Sequence, residues 1–177
     1  MTDYPDLLEK IRTVPDFPKK GIMFRDITTL LKDGTAFARA VDLLYGQYRR
    51  TPVDKVVSVE SRGFILGAPL ACRLGAGFVP VRKPGKLPAA VAREEYQLEY
   101  GTDAVEMHQD ALRPGERVLL HDDLLATGGT MLAVCRLVQR LGGTIVGISF
   151  LIELAFLKGR ERLTPHQVFA LLTYDSE

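Results

Sequence analysis

Val118-Leu119-Leu120-His121-Asp122-Asp123-Leu124-Leu125-Ala126-Thr127-Gly128-Gly129-Thr130-Met131 opens on an aliphatic run, passes through two adjacent carboxylates and ends in a small, glycine-rich turn. From Met131 to Leu141, apolar residues fall at Leu132, Cys135, Leu137, Val138 and Leu141, which is helical spacing. The order is buried strand, acidic pair, glycine turn, helix. Open parallel α/β sheets bind ligands outside the carboxyl ends of their strands. Ala126, Thr127, Gly128, Gly129 and Thr130, entering a helix, offer clustered backbone N–H groups, two hydroxyls and the positive end of a dipole, which suits a phosphate monoester. Glycine lets the main chain approach the oxygens with no Cβ in the way. Asp122 and Asp123 would repel that phosphate, but they accept hydrogen bonds from adjacent sugar hydroxyls. A ribose bearing a 5′-phosphate satisfies both halves. A glycine pair alone would leave a solvated strand-end turn as the better reading; the ordered combination does not.

The 177 residues are 46% apolar and 25% charged, an ordinary globular make-up that by length suggests one domain with a real core. A formal charge of +1 argues against a general nucleic-acid binder, which would show a strong basic excess. Cys72 and Cys135 fall in helical-looking apolar patterns and read as small core residues in a reducing compartment. No leader is seen before Tyr4, and no apolar run approaches the ~20 residues that span a bilayer, so the expectation is a cytoplasmic protein.

Along the chain, Asp3 to Thr13 reads as a short helix with Leu7, Leu8 and Ile11 on one face and Asp3 as cap. Two prolines and a glycine make Val14 to Gly21 irregular, and Ile22 to Leu31 reads as an apolar loop docked on the core. Asp33 to Arg50 is an amphipathic helix through Phe37, Val41, Leu44, Tyr45 and Tyr48. Lys55 to Val59, short and β-branched, is the first central strand. Glu60-Ser61-Arg62-Gly63 follows it, before an apolar helix from Phe64 to Leu74. This second strand-to-helix turn suits an anion, pyrophosphate foremost, although a solvated arginine in an ordinary turn reads equally well from the residues alone.

Gly77 to Val81 is a further strand, with Pro80 awkward for a central position. Arg82, Lys83 and Lys86 crowd a proline-broken loop, ordinarily a solvated connector, and Ala89 to Glu95 has the patternless look of a flexible lid. Tyr96 to Gly101 and Asp103 to His108 alternate as a hairpin projecting from the sheet. His121 beside two acids invites a metal, but there is no fourth ligand and no ligand-type spacing. Strand geometry sends His121 and Asp122 to opposite faces, so His121 is expected to pack against the sheet. After Gly142-Gly143, Thr144 to Leu151 is the last long buried strand, Glu153 and Leu154 follow it, and Val168 to Thr173 closes an edge.

The Asp122 to Thr130 wording closely resembles the phosphoribosyl-pyrophosphate-binding motif of the type I phosphoribosyltransferases, in the form of their adenine-specific branch. Phe17-Pro18, Gly21-Ile22 and Phe24-Arg25-Asp26-Ile27-Thr28 resemble the purine-holding segment, and Glu60-Ser61-Arg62-Gly63-Phe64 resembles the pyrophosphate loop. The resemblance spans about residues 5 to 174. It implies the α/β fold of that family: a mostly parallel central sheet flanked by helices, a hood over about 1–32 and a flexible hairpin lid over about 83–108. By the same resemblance Met23 would lie against the base, and main-chain groups near Arg25 would read its Watson–Crick edge. Glu60, Ser61 and Arg62 would meet pyrophosphate. Arg82, Lys83 and Lys86 would reach it from the lid, across a homodimer interface. Glu99 would stand near the purine's imidazole edge with Tyr100 beside it, and Leu154 would reach the base pocket. A solvated flap glutamate and a core leucine are the plain readings of Glu99 and Leu154. Relatives often have acidic residues where this chain has Ala89, Ala90 and Ala92, and some carry a strained peptide bond in the pyrophosphate loop.

The implied reaction is purine salvage: transfer of the 5-phosphoribosyl group from phosphoribosyl pyrophosphate to adenine, giving AMP and pyrophosphate. Asp122 and Asp123 would hold the diol and suit a cationic ring. Mg²⁺ would be required, held mainly by substrate and water rather than by a protein cage. No nucleic acid or membrane partner is expected. Three other readings compete: a phosphoribosyltransferase for another base, a non-catalytic sensor of phosphoribosyl pyrophosphate, and a phosphorylatable receiver domain. The Phe24-Arg25-Asp26 and Leu124-Leu125-Ala126 wording favours adenine. A sensor would normally add a DNA-binding domain, for which 177 residues leave no room. In a receiver the acid pair comes near the start of the chain, whereas here only 54 residues follow Asp123.

Overall fold

The computed structural model describes residues 4–97 and 101–176. The chain enters through α1 (Pro5–Leu8), then pairs β1 (Arg12–Val14) antiparallel with β2 (Phe24–Asp26), and makes one turn of helix, α2 (Thr28–Leu31). Asp33 caps α3 (Gly34–Tyr48), its Oδ1 accepting the N–H groups of Thr35 and Ala36 at 3.1 Å each. There follow β3 (Lys55–Val59), α4 (Gly63–Leu74) and β4 (Gly77–Val81), then a hairpin of β5 (Val91–Gln97) and β6 (Thr102–His108). The chain closes with β7 (Arg117–Leu125), α5 (Gly129–Arg140), β8 (Thr144–Leu154), two 3-10 turns (Ala155–Leu157 and Gly159–Leu163) and β9 (Val168–Tyr174).

β4, β3, β7, β8 and β9 lie side by side in that order, every pair parallel. Successive side chains on a strand face opposite ways, so neighbours part company. Val57 and Leu120 join the core under α5 and the hairpin, with Leu137, Phe150 and Met107. Val56 and Leu119 join the core under α3, α4 and the hood, with Leu7, Leu30, Leu44 and Leu66. Both faces are covered, which is why the central strands read as unbroken apolar runs. Pro80 sits in β4, an edge strand, where a missing N–H is tolerated. The parallel topology brings the carboxyl ends of β3 and β7 together, each running into a helix on the same edge of the sheet.

Several expectations shift. The helix expected over 3–13 is only α1; Asp3 lies outside the described residues, and Thr13 and Val14, both β-branched, are drawn into β1 by pairing with Arg25 and Phe24. The segment read as a loop over 22–31 holds β2 and α2. Val91 to Glu95, read as patternless, is a paired strand, and the hairpin packs on α5 instead of projecting, with Tyr96, Val105 and Met107 in its core. β7 carries the acid pair within the strand, α5 begins at Gly129, and β8 runs three residues past Leu151 to Leu154. Cys72 is exposed rather than in the core, while Cys135 is buried and its thiol is pushed up to about 12 by burial.

Candidate active site

The glycine turn after β7 owes its shape to two close approaches. Gly128 has φ +79°, and a Cβ there would stand 2.6 Å from the Gly159 carbonyl oxygen. A Cβ on Gly159 would in turn run into the Ala126 carbonyl oxygen. Turn and 3-10 segment are thus locked backbone to backbone, at the N-terminus of the 12-residue α5. Inside is a small cavity of about 90 Å³, lined by Asp122, Leu124 to Met131 and Phe150. Ala126, Thr127, Gly128, Gly129 and Thr130 are all on its wall, as the motif requires of a phosphate site.

Asp122 and Asp123 sit beside it. Asp123 is buried, and Asp122 Oδ1 accepts the Asp123 N–H at 2.8 Å. A Cβ on Gly63 would come within 2.8 Å of that same Asp122 oxygen, so α4 begins directly against the carboxylate. Arg62 Nε pairs with Asp123 Oδ2 at 2.9 Å, and its guanidinium lies 5.1 Å from the centre of the Phe24 ring. Burial and the neighbouring Asp123 push the Asp122 carboxyl well above the usual carboxylate range. Burial raises Asp123 as well, opposed by Arg62. Two crowded carboxylates facing a cleft favour whatever brings donors or positive charge to them.

The cleft beyond, about 480 Å³, is lined by Phe24, Val59, Glu60, Ser61, Arg62, Lys83, Asp122, Asp123, Leu124 and Thr130. It brings together the predicted Glu60, Ser61, Arg62, Lys83 and the acid pair. The Glu60–Ser61 peptide bond is cis. Arg82 and Lys86 do not line this cleft; they turn to Glu60, with Arg82 Nε to Oε2 and Lys86 Nζ to Oε1, both at 2.7 Å. Burial alone would raise the Glu60 carboxyl, but Lys86 and Arg82 outweigh it and hold the group below its ordinary value. Lys83 Nζ pairs with Asp103 and donates to the Tyr96 hydroxyl at 2.7 Å. Those partners overcome burial and raise the Lys83 ammonium. Each of the four cations assigned to pyrophosphate is therefore paired with a carboxylate, Arg62 with Asp123, Lys83 with Asp103, and Arg82 and Lys86 together with Glu60.

The residues expected to hold the base lie at the hood and the end of β8. Arg25 is buried, lies over the Tyr174 ring at 4.0 Å and donates through Nη1 to Thr13 Oγ1 at 2.5 Å. Tyr174 pairs in register with Leu154 at the end of β8. Met23 is half-buried, and Phe24 rather than Met23 lines the cleft. Glu99 and Tyr100 lie outside the described residues. His121 packs against the sheet as expected: it is fully buried, with Nδ1 at 2.9 Å from Ser149 Oγ. Ser149 donates to the Leu120 carbonyl at 3.1 Å, so it accepts from His121 Nδ1–H; burial lowers the imidazole to about 4 and keeps it neutral.

Phe24, Asp103, Gly159 and Tyr174 touch the candidate site residues and were not singled out by the pattern of the sequence. Each meets its partner only through tertiary contact. Phe24 alone left a signal, as an aromatic inside the purine-segment wording.

The phosphoribosyl transferase domain matches residues 28–170. The adenine phosphoribosyltransferase of Solibacter usitatus is 60% identical over 171 residues, covering 97% of this chain and 99% of the relative. That of Chloroflexus aurantiacus is 56% identical, over 96% and 98%. Among solved structures, adenine phosphoribosyltransferase from Thermoanaerobacter pseudethanolicus superposes with a TM-score of 0.94 at 51% identity, covering 96% of this chain and 99% of that one. The Giardia lamblia enzyme, complexed with 9-deazaadenine, gives 0.92 at 39% identity, covering 98% and 99%. With a glycine turn, an acid pair and a pyrophosphate-type loop converging at one sheet edge, and relatives alike over nearly their whole length, this chain belongs to the adenine phosphoribosyltransferases of the phosphoribosyl transferase domain family.

Proposed function

We propose that this chain serves purine salvage by transferring the 5-phosphoribosyl group of phosphoribosyl pyrophosphate to adenine, forming AMP and pyrophosphate. One observation carries this reading: a carboxylate pair, Asp123 buried and Asp122 half-buried, lies between a glycine turn and a cation-lined cleft at the end of the central strand. The electrons of the anomeric C–O bond leave with pyrophosphate, and a ring nitrogen of adenine forms the new C–N bond and gives up its proton. Positive charge grows on the ribose as the first bond breaks ahead of the second. Asp122 and Asp123 accept the two ribose hydroxyls and face that charge, so their attraction is stronger in the transition state than in the ground state. The turn from Ala126 to Thr130 holds the 5′-phosphate. Arg62, Arg82, Lys83 and Lys86 receive the leaving group, and Ser61 and Glu60 shape its loop. Met23, Arg25 and Leu154 belong to the base pocket. Glu99 holds or moves the proton at the base, with Tyr100 beside it, as part of a lid over 83–108 that keeps water out.

Mg²⁺ fits this site as a companion of the substrate. Among the described residues no three His, Cys, Asp or Glu side chains gather into a metal cage. The donors lining the cleft are hard oxygens, those of Asp122 and Asp123 among them, which suit an ion that keeps most of its ligands from phosphate and water. When bound it neutralises charge on the pyrophosphate. A homodimer in which Arg82, Lys83 and Lys86 serve a neighbour's site, and a cytoplasmic location, complete the proposal; among the described residues no helix is long and apolar enough to cross a membrane.

The test is product formation from phosphoribosyl pyrophosphate and Mg²⁺ with adenine, hypoxanthine, guanine and uracil in parallel, beside an Asp122→Asn/Asp123→Asn double variant. AMP from adenine alone, abolished in the variant, is expected. Turnover of another base would discard the hood pocket, and donor binding without any turnover would leave the sensor reading.

A further inference from the structure

We propose that Glu60 is an internal competitor of pyrophosphate, so that the leaving group binds by exchange with a fixed carboxylate and is displaced by it on release. The proposal rests on the reading that Arg82 and Lys86 receive pyrophosphate.

The geometry is one acid shared by two cations. Each Glu60 carboxylate oxygen holds one of them, Arg82 Nε and Lys86 Nζ, at 2.7 Å. The two sides of this cluster differ in freedom. The Glu60 side chain is 7% exposed, and its backbone N–H is tied to the Val81 carbonyl at 2.9 Å where β3 ends. Arg82 and Lys86 side chains are 37% and 51% exposed. The backbone beneath the cations is also held. Arg82 exchanges N–H···O bonds with Glu106 at 2.9 and 2.8 Å, and the Glu106 carboxylate accepts the Gly85 N–H at 3.0 Å. The acid stays put, and the cations swing on their own stems.

A polyanion that engages Arg82 and Lys86, in whichever subunit's site they serve, must therefore take these cations from Glu60. While it is bound, the buried carboxylate is left behind without them. As it departs, Glu60 recaptures both. This offsets much of the Coulombic gain that two free cations would give a pyrophosphate and weakens product retention. The 5′-phosphate site has no such arrangement, since its turn offers neutral backbone donors. Glu60 thus tunes affinity for the leaving group without contacting the ribose.

The experiment compares wild type with Glu60→Gln, an isosteric change that removes the charge. Pyrophosphate is measured as a product inhibitor against phosphoribosyl pyrophosphate and by isothermal titration of the full chain. The expected result is pyrophosphate bound about tenfold more tightly, the scale of one partly shielded ion pair. Ribose 5-phosphate affinity, which a misfolded site would lose, should stay as in wild type. Glu60→Asp, one methylene too short to hold both cations, should tighten pyrophosphate by less and serves if the glutamine variant does not fold. Unchanged or weaker pyrophosphate binding in the glutamine variant, with ribose 5-phosphate binding intact, would overturn the proposal. Arg82→Ala and Lys86→Ala separate the two failures. If they weaken pyrophosphate, the cradle stands whatever Glu60 does; if they do not, the reading beneath the proposal falls with it.

Discussion

The two strand-to-helix turns at the ends of β3 and β7 lie on neighbouring strands and face one cleft, yet they hold charge in opposite ways. The turn after β7 is nearly all backbone. Gly128 and Gly159 lock it from behind, and it offers a phosphate the start of α5. The turn after β3 is side chain: Glu60 and Arg62 are both in ion pairs, the one with Arg82 and Lys86, the other with Asp123. A backbone cradle costs no side-chain ordering and suits a group that stays attached through the reaction. Paired side chains give up one partner to take another, which suits a group that must depart. Asp122 and Asp123 sit between them, buried and crowded enough to resist ionisation.

Removing the backbone lock is the strongest way to break this contrast. Gly159→Ala forces a methyl toward the Ala126 carbonyl, and the phosphate turn must shift. The expected result is a loss of about 100-fold in kcat/KM for phosphoribosyl pyrophosphate, the usual effect of misplacing a substrate by about 1 Å. Steady-state kinetics check it; wild-type values would mean that the turn is not held by this contact. A Ser61→Ala control on the other turn should do far less.

Next in size is Arg62→Ala, which strips Asp123 of its cation. Asp122 and Asp123 already have folded-state proton affinities above the unfolded ones, so ionising them works against the fold as pH rises from about 4. Without Arg62 that burden grows. Because the arginine is itself 36% exposed, the expected loss is only about 1–2 kcal/mol at pH 8, vanishing below about pH 4. Denaturant titrations at both pH values test it, and a loss independent of pH would point to packing on Phe24 instead.

Asp122→Asn sharpens the point from the other side. It keeps an acceptor for the Asp123 N–H while removing one of two crowded charges. The variant should be inactive yet more stable by about 1 kcal/mol at pH 8, with no gain near pH 4. Thermal melts without ligand decide it; a less stable variant at pH 8 would show that Asp122 is ionised at little cost.

The smallest effect lies in the hood. Arg12, through Nε at 3.0 Å, and Thr28 hold the Asp26 carboxyl down to about 2. A depressed carboxylate stabilises the fold above its unfolded pKa near ~4, and that contribution disappears as pH falls from there through about 2. Asp26→Asn should therefore lower the melting temperature slightly at neutral pH and match wild type near pH 2. A gap that persists at pH 2 would contradict this.

Much of this was legible in the chain. The β3, β4 and β9 runs, the helix under Asp33 and the glycine turn each announced themselves through local pattern, because burial on both faces demands unbroken apolar residues and a turn demands glycine. The failures share a cause. Val91 to Glu95 became a strand because β6 was there to pair with it. Arg12 and Thr13 left the expected helix, and Val14 the expected irregular stretch, because Phe24 to Asp26 supplied a ladder. Arg82, Lys83 and Lys86 read as free cations because their partners Glu60 and Asp103 stand 20 to 26 residues away along the chain.

By itself, then, the sequence determined which residue types suit which chemical group: carboxylates a diol, glycines and hydroxyls a phosphate, cations a leaving polyanion. Those are properties of side chains and of periods of two and 3.6, which any short window displays. Only the tertiary structure decided who neutralises whom: Glu60 for Arg82 and Lys86, Asp103 for Lys83, Asp123 for Arg62, and Gly159 behind the phosphate turn. Electrostatic pairing and backbone contact act through distance in space, and the parallel crossovers of this fold bring together residues that no local pattern connects.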